Sequence, residues 1–138
     1  MSDRRLVRKK LAFIEANVRE LRKTARPELI PKDVREQRFV AYTLQICIQA
    51  AIDAASIIVS IERLGEPETN KDMFDLLVQA GWLPEKLLEP CRGMVGFRNV
   101  VVHGYAKVDP RRIRQILETD LDDLLGFVKA IRKRLGQR

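Results

Sequence analysis

The segment from Asp33 to about Leu64, stopped by Gly65 and Pro67, constrains the fold most. It reads as a helix of about 30 residues, roughly 45 Å long at 1.5 Å per residue. From Ile46 to Ile61 it is apolar nearly all round, as suits a helix packed on most of its sides. The exceptions fall in one line: Gln45, Gln49, Asp53, Ser56 and Ser60 are spaced four, four, three and four. A buried polar group without a partner costs about 1–3 kcal/mol. The stripe is therefore a solvent-facing edge, a polar contact with another helix, or the wall of an active site. The same interruptions leave this stretch too short and too polar for a membrane span, which needs roughly 20 mostly apolar residues.

Four further helices are expected around it. Val7, Leu11, Ile14, Val18 and Leu21 recur at steps of four and three, predicting a helix over about Asp3 to Thr24 before Pro27 and Pro31. Thr69 or Asn70 caps a short third helix that Gly81 ends. Pro84 opens the fourth, which runs toward Val102 with Gly104 at its end. Asp109 caps the fifth, Pro110 starts it, and apolar positions keep helical spacing from Ile113 to Leu135. Val100, Val101 and Val102 are β-branched, but no second strand-like segment exists to pair with them. With 7 Gly and 6 Pro the chain lacks the turns of an all-β protein. The expected fold is all-α: an up-down bundle of about five helices with a long central second helix. At 138 residues it is expected to form one domain over 1–138.

Charge is uneven. The net +7 comes from the ends: residues 1–30 carry nine bases and four acids, residues 110–138 eight and four, and residues 66–109 five and seven. A basic surface attracts polyanions, nucleic acid first among them, although a solvated helix face is also basic for solubility alone. The start MSDRRLVRKKLAF has charge but no apolar run of a signal peptide, so the cytoplasm is the expected location. Cys47 and Cys91 lie in apolar segments without metal-ligand spacing and are expected to be reduced core residues.

The chain has one histidine, His103. That excludes a His-rich zinc site within one chain, and neither a phosphate-binding G-x-x-x-x-G-K-[S/T] loop nor a G-x-S-x-G elbow is present. No metal or cofactor is expected. The segment Phe97-Arg98-Asn99-Val100-Val101-Val102-His103-Gly104-Tyr105 stands apart. Asn99 and His103 are one helical turn apart, and a long Arg98 side chain reaches around toward that face. Gly104 is expected to let the chain turn so that Tyr105 projects beside His103. Helix-end capping is the plainer reading: histidine suits a helix C-terminus, and Arg98 with Asn99 can cap carbonyls.

This segment resembles the R-x-x-x-x-H-x-Y signature of HEPN-domain ribonucleases, in particular the HepT-like toxins. The resemblance extends to the helical bundle and to the acidic residue within Q-A-A-I-D-A-A of the second helix. It implies a metal-independent endoribonuclease that forms a homodimer, with Arg98 and His103 catalytic. Cleavage of RNA without metal uses the 2′-hydroxyl as nucleophile. It needs a base for that hydroxyl, an acid for the leaving oxygen, and positive charge on the phosphorane. Histidine serves as base or acid near neutral pH, and arginine binds phosphate oxygens in a fork. A single imidazole cannot be both acid and base, which favours a composite site made by two copies. Asn99 is expected to orient His103 or donate to phosphate. Asp53 either holds Arg98 or His103 or makes a helix–helix polar contact.

The resemblance also implies a partner, a minimal nucleotidyltransferase antitoxin that attaches AMP to Tyr105. The added phosphate would repel the RNA backbone beside Arg98; alternatively Tyr105 stacks on a base or packs at the helix end. Candidate RNA contacts are Arg4, Arg5, Arg8, Lys9, Lys10, Lys129, Arg132, Lys133 and Arg134. With aromatics at 6%, backbone and shape recognition is expected over base stacking. The competing reading is a non-catalytic helical module that binds nucleotide or docks a nucleotidyltransferase.

Overall fold

A computed structural model describes residues 2–137; Met1 and Arg138, the ends of the expected 1–138 unit, lie outside them. Among the described residues every regular element is helical: α1 (Asp3–Thr24), α2 (Val34–Ile61), α3 (Asn70–Gln79), α4 (Leu88–His103), α5 (Pro110–Gln115) and α6 (Leu121–Leu135). A π turn over Ile116–Asp120 joins α5 to α6 in one rod, so five rods build the all-α bundle that the apolar spacing predicts.

The α1 stripe Val7, Leu11, Ile14, Val18 and Leu21 is buried in full. It faces α2, which lies between α1 and the pair α3 and α4. Polar contacts fix the directions. Lys10 meets Asp53 near one end of the α1–α2 pair, and Glu36 accepts from the Arg26 amide at the other. These helices are antiparallel. Likewise Arg22 pairs with Asp122 and Arg132 with Glu15, so α6 returns along α1.

Three expectations are corrected here. α2 reaches the apolarity of a membrane-spanning helix, with mean hydropathy 1.8 over its best 18-residue window, despite its polar interruptions; 56% of that window is buried inside the protein. Its apolar faces are met by neighbouring helices. The fourth helix does not open at Pro84. A 3-10 turn over Glu85–Leu87 comes first, and α4 begins at Leu88, with Pro90 in its first turn, where a missing N–H costs no helical bond. The fifth helix is one rod but not a regular α-helix throughout. Regular winding would carry Asp120, seven residues after Ile113, onto the buried stripe. The π turn widens the helix there, Thr119 Oγ1 donates to the Gln115 carbonyl, and Asp120 meets Arg112 at 3.5 Å.

Elsewhere the local signals act as expected. Thr69 and Asp72 form a capping box on α3, Gly81 follows it at φ 80°, and Asp109 caps α5 with Pro110 in its first turn. Cys47 and Cys91 are free and buried, and burial pushes each thiol up to about 12.

Candidate functional site

α4 carries the segment of interest to its last turn. Arg98 and Asn99 are half-buried, and His103, the final residue of α4, is exposed. The Gly104 amide closes the helix on the Val100 carbonyl at 3.0 Å. Gly104 has φ 175°, extended backbone that any residue adopts, and a Cβ there would meet only the Lys107 side chain, at 3.9 Å. The expected need for glycine at this turn is therefore not borne out by the backbone.

The Arg98 guanidinium is held on two sides. Its Nε donates to Gln49 Oε1 at 2.9 Å, and its Nη1 donates to Asn99 Oδ1 at 3.0 Å. Gln49 Nε2 donates in turn to Asp53 Oδ1 at 2.9 Å, and Lys10 Nζ lies 3.4 Å from Asp53 Oδ2. A polar chain thus runs Lys10–Asp53–Gln49–Arg98–Asn99 across α1, α2 and α4. Asp53 reaches Arg98 only through the Gln49 amide, so of its two readings the polar contact between helices is the one that forms. Asn99 spends its carbonyl oxygen on Arg98. Within the polar stripe of α2, Gln49 and Asp53 make a polar contact between helices, and Ser56 and Ser60 are an exposed edge.

The same face of α2 extends toward its start. Arg38, Tyr42, Gln45 and Gln49 are spaced four, three and four. Arg38 lies 5.7 Å from the centre of the Tyr105 ring, and Gln49 holds Arg98, so one helical face meets the segment at both residues. Sequence reasoning missed Arg38 because it ended the stripe at Gln45; continued spacing was the available signal. Tyr105 packs partly buried against the core. Its hydroxyl is buried without a hydrogen-bond partner. Burial raises its pKa above the ordinary phenol value, and the charge of Arg38 opposes that rise.

The nine basic candidates differ in what engages them. Lys9 borders a shallow depression beside Gln49 and Asp53. Lys10 is tied to Asp53. Arg4 donates to the Leu135 carbonyl at 3.1 Å. Arg132 grips Glu15 with both Nη atoms, at 2.9 and 2.7 Å, which holds the Glu15 carboxyl below its ordinary pKa. Arg134 lies over the Trp82 ring at 5.4 Å. Lys129 and Lys133 border a groove with Trp82 and Lys86, beside the start of α4. His103 is at the other end of that 16-residue helix, about 24 Å away at 1.5 Å per residue. Arg5 and Arg8 are exposed on α1.

Apolar side chains are exposed on the segment and on this face of α2 as well: Val100 is 42% exposed, Val102 46% and Tyr42 61%. Chemically the site presents an anchored guanidinium, an exposed imidazole about a turn and a half further along the same helix, and an apolar margin.

Known proteins resemble this chain in sequence and in fold. The family described as "Ribonuclease HepT-like" matches residues 14–131. The mRNA nuclease HepT of Shewanella oneidensis is 32% identical over 101 residues, covering 73% of this chain and 76% of that protein. The solved structure of a tri-AMPylated Shewanella oneidensis HEPN toxin in complex with MNT antitoxin aligns with TM-score 0.86 and 28% identity over 96% of this chain and 99% of that one. A toxin–antitoxin structure with AMP-PNP aligns with TM-score 0.86 and 26% identity over 93% of this chain and 98% of that one.

Proposed function

The chain belongs to the Ribonuclease HepT-like family, and on that premise we propose that it is a toxin endoribonuclease cleaving RNA without a metal ion. Arg98 and His103 are its catalytic residues. The observation that carries this reading is the Arg98 guanidinium. Gln49 fixes its Nε and Asn99 one Nη1 hydrogen, which leaves Nη2 and the second Nη1 hydrogen to grip a phosphate as a fork. His103, exposed at the end of the same helix, has the one side chain type whose charge changes near neutral pH.

The chemistry follows from these groups. A neutral imidazole takes the proton of the RNA 2′-hydroxyl. The 2′-oxygen bonds to the adjacent phosphorus, and the bond to the 5′-oxygen breaks as that oxygen is protonated. The products are a 2′,3′-cyclic phosphate and a 5′-hydroxyl. Arg98 carries the charge that develops on the phosphorane. Base and acid are required together, and each chain has one histidine. A homodimer that brings two copies of the segment together supplies both. The exposed Val100 and Val102 within the segment support such an interface, since clustered exposed apolar residues mark contact surfaces.

The partner is a nucleotidyltransferase antitoxin that attaches AMP to Tyr105. The relative named as a tri-AMPylated toxin bound to its antitoxin supports this, as does the position of Tyr105 two residues beyond His103. Expression of the chain alone in a bacterial host tests the reading. Growth arrest with loss of intact mRNA, abolished by Arg98→Ala and by His103→Ala, is the expected result. Arrest that survives either substitution contradicts the assignment. Arrest with intact RNA favours the non-catalytic module.

A further inference from the structure

We propose that Gln49 is a positioning residue for RNA cleavage: its side-chain amide holds the Arg98 guanidinium in place without neutralising it. The inference rests on the catalytic role of Arg98.

A guanidinium only donates hydrogen bonds, and a carboxylate only accepts them. Gln49 stands between one of each, its Oε1 2.9 Å from Arg98 Nε and its Nε2 2.9 Å from Asp53 Oδ1. The flipped amide would set N–H against N–H and oxygen against oxygen, so both neighbours enforce one orientation. Asp53 is itself anchored by Lys10 from α1. The amide is thereby fixed from the far side before it meets Arg98.

A direct carboxylate–arginine pair would hold Arg98 as well. It would also cancel the charge and occupy the fork that a phosphate needs. The neutral spacer keeps the anionic Asp53 one side chain away. It consumes Nε alone, and Asn99, also neutral, takes one Nη1 hydrogen. Nη2 and the second Nη1 hydrogen are left for substrate. Among the described residues, both groups that hydrogen-bond the guanidinium are uncharged amides, an arrangement suited to orienting a cation that must meet an anion.

The test is steady-state cleavage of a fluorophore-labelled single-stranded RNA by full-length Gln49→Leu, Gln49→Glu and Arg98→Ala, each checked for folding by thermal melting. Gln49→Leu removes both bonds. Its kcat is expected to fall about tenfold or more, as for a displaced catalytic group, with a smaller change in KM. Gln49→Glu keeps an acceptor for Arg98 but adds the cancelling charge; its KM is expected to rise about tenfold, from loss of phosphate attraction, and to depend less on salt. A merely structural link between helices would lower the melting temperature and leave kcat and KM of the folded fraction unchanged, which overturns the proposal. If Gln49→Leu does not fold, the Gln49→Glu KM decides: wild-type KM overturns the proposal. Arg98→Ala separates the two levels. Full activity there refutes the catalytic reading itself. An inactive Arg98→Ala beside a fully active Gln49→Leu refutes only the role of Gln49.

Discussion

The Arg38 guanidinium stands 5.7 Å from the centre of the Tyr105 ring, and the Tyr105 hydroxyl is buried without a hydrogen-bond partner. A covered hydroxyl cannot receive AMP, so under the proposed modification of Tyr105 the turn over Tyr105–Lys107 opens first. A cation over an aromatic face is worth about 0.5–1 kcal/mol at such a site. Arg38→Ala should therefore speed AMP incorporation by the cognate nucleotidyltransferase about two- to fivefold, read by intact-mass spectrometry over time. An unchanged rate would mean that Arg38 does not hold the turn closed.

Mixed dimers probe the proposed shared site. If one imidazole acts as base and the partner's as acid, a dimer with one His103→Ala chain is inactive. After mixing and re-equilibration, cleavage should follow the square of the wild-type fraction. A linear dependence would place a complete site in each chain.

The basic ends of the chain should not contribute equally to RNA binding. Lys9 lies beside the Gln49–Asp53 contact, whereas Lys133 borders the groove at the far end of α4. For a short single-stranded RNA, Lys9→Ala should reduce the salt slope of binding by about 0.7. Lys133→Ala should leave that slope unchanged. Fluorescence anisotropy across a salt series measures both.

Two glycines should respond oppositely to alanine. Gly104 is extended at φ 175° with room for a Cβ, so Gly104→Ala should be neutral or stabilise by up to about 1 kcal/mol. Gly81 sits at φ 80°, where an L side chain costs about 1–2 kcal/mol, and Gly81→Ala should lower the denaturation midpoint accordingly. Urea titrations separate the two.

Much of the fold was legible because apolar spacing reports burial directly: the α1 stripe is buried residue for residue, and the Thr69, Asp109 and Gly81 signals act where they stand. The π turn was not legible, because one widened turn leaves the spacing of Ile113, Leu117 and Leu121 looking regular. The opening of α4 was missed because Pro84 suits the start of a 3-10 turn as well as that of an α-helix. At the site, the Arg98–His103 segment could be found from local order alone. Its supports could not. Gln49 lies 49 positions from Arg98, and periodicity placed it on a stripe without saying which helix that stripe would meet. The charge count likewise could not show that Lys10 and Arg132 are engaged in ion pairs.

The central claim is tested most directly by incubating unmodified wild-type protein, made by cell-free synthesis without antitoxin, with cellular RNA in EDTA, beside His103→Ala. The account predicts cleavage by wild type, leaving 2′,3′-cyclic phosphate ends, and none by the variant. Intact RNA with folded, AMP-free wild-type protein, or equal cleavage by His103→Ala, would contradict it.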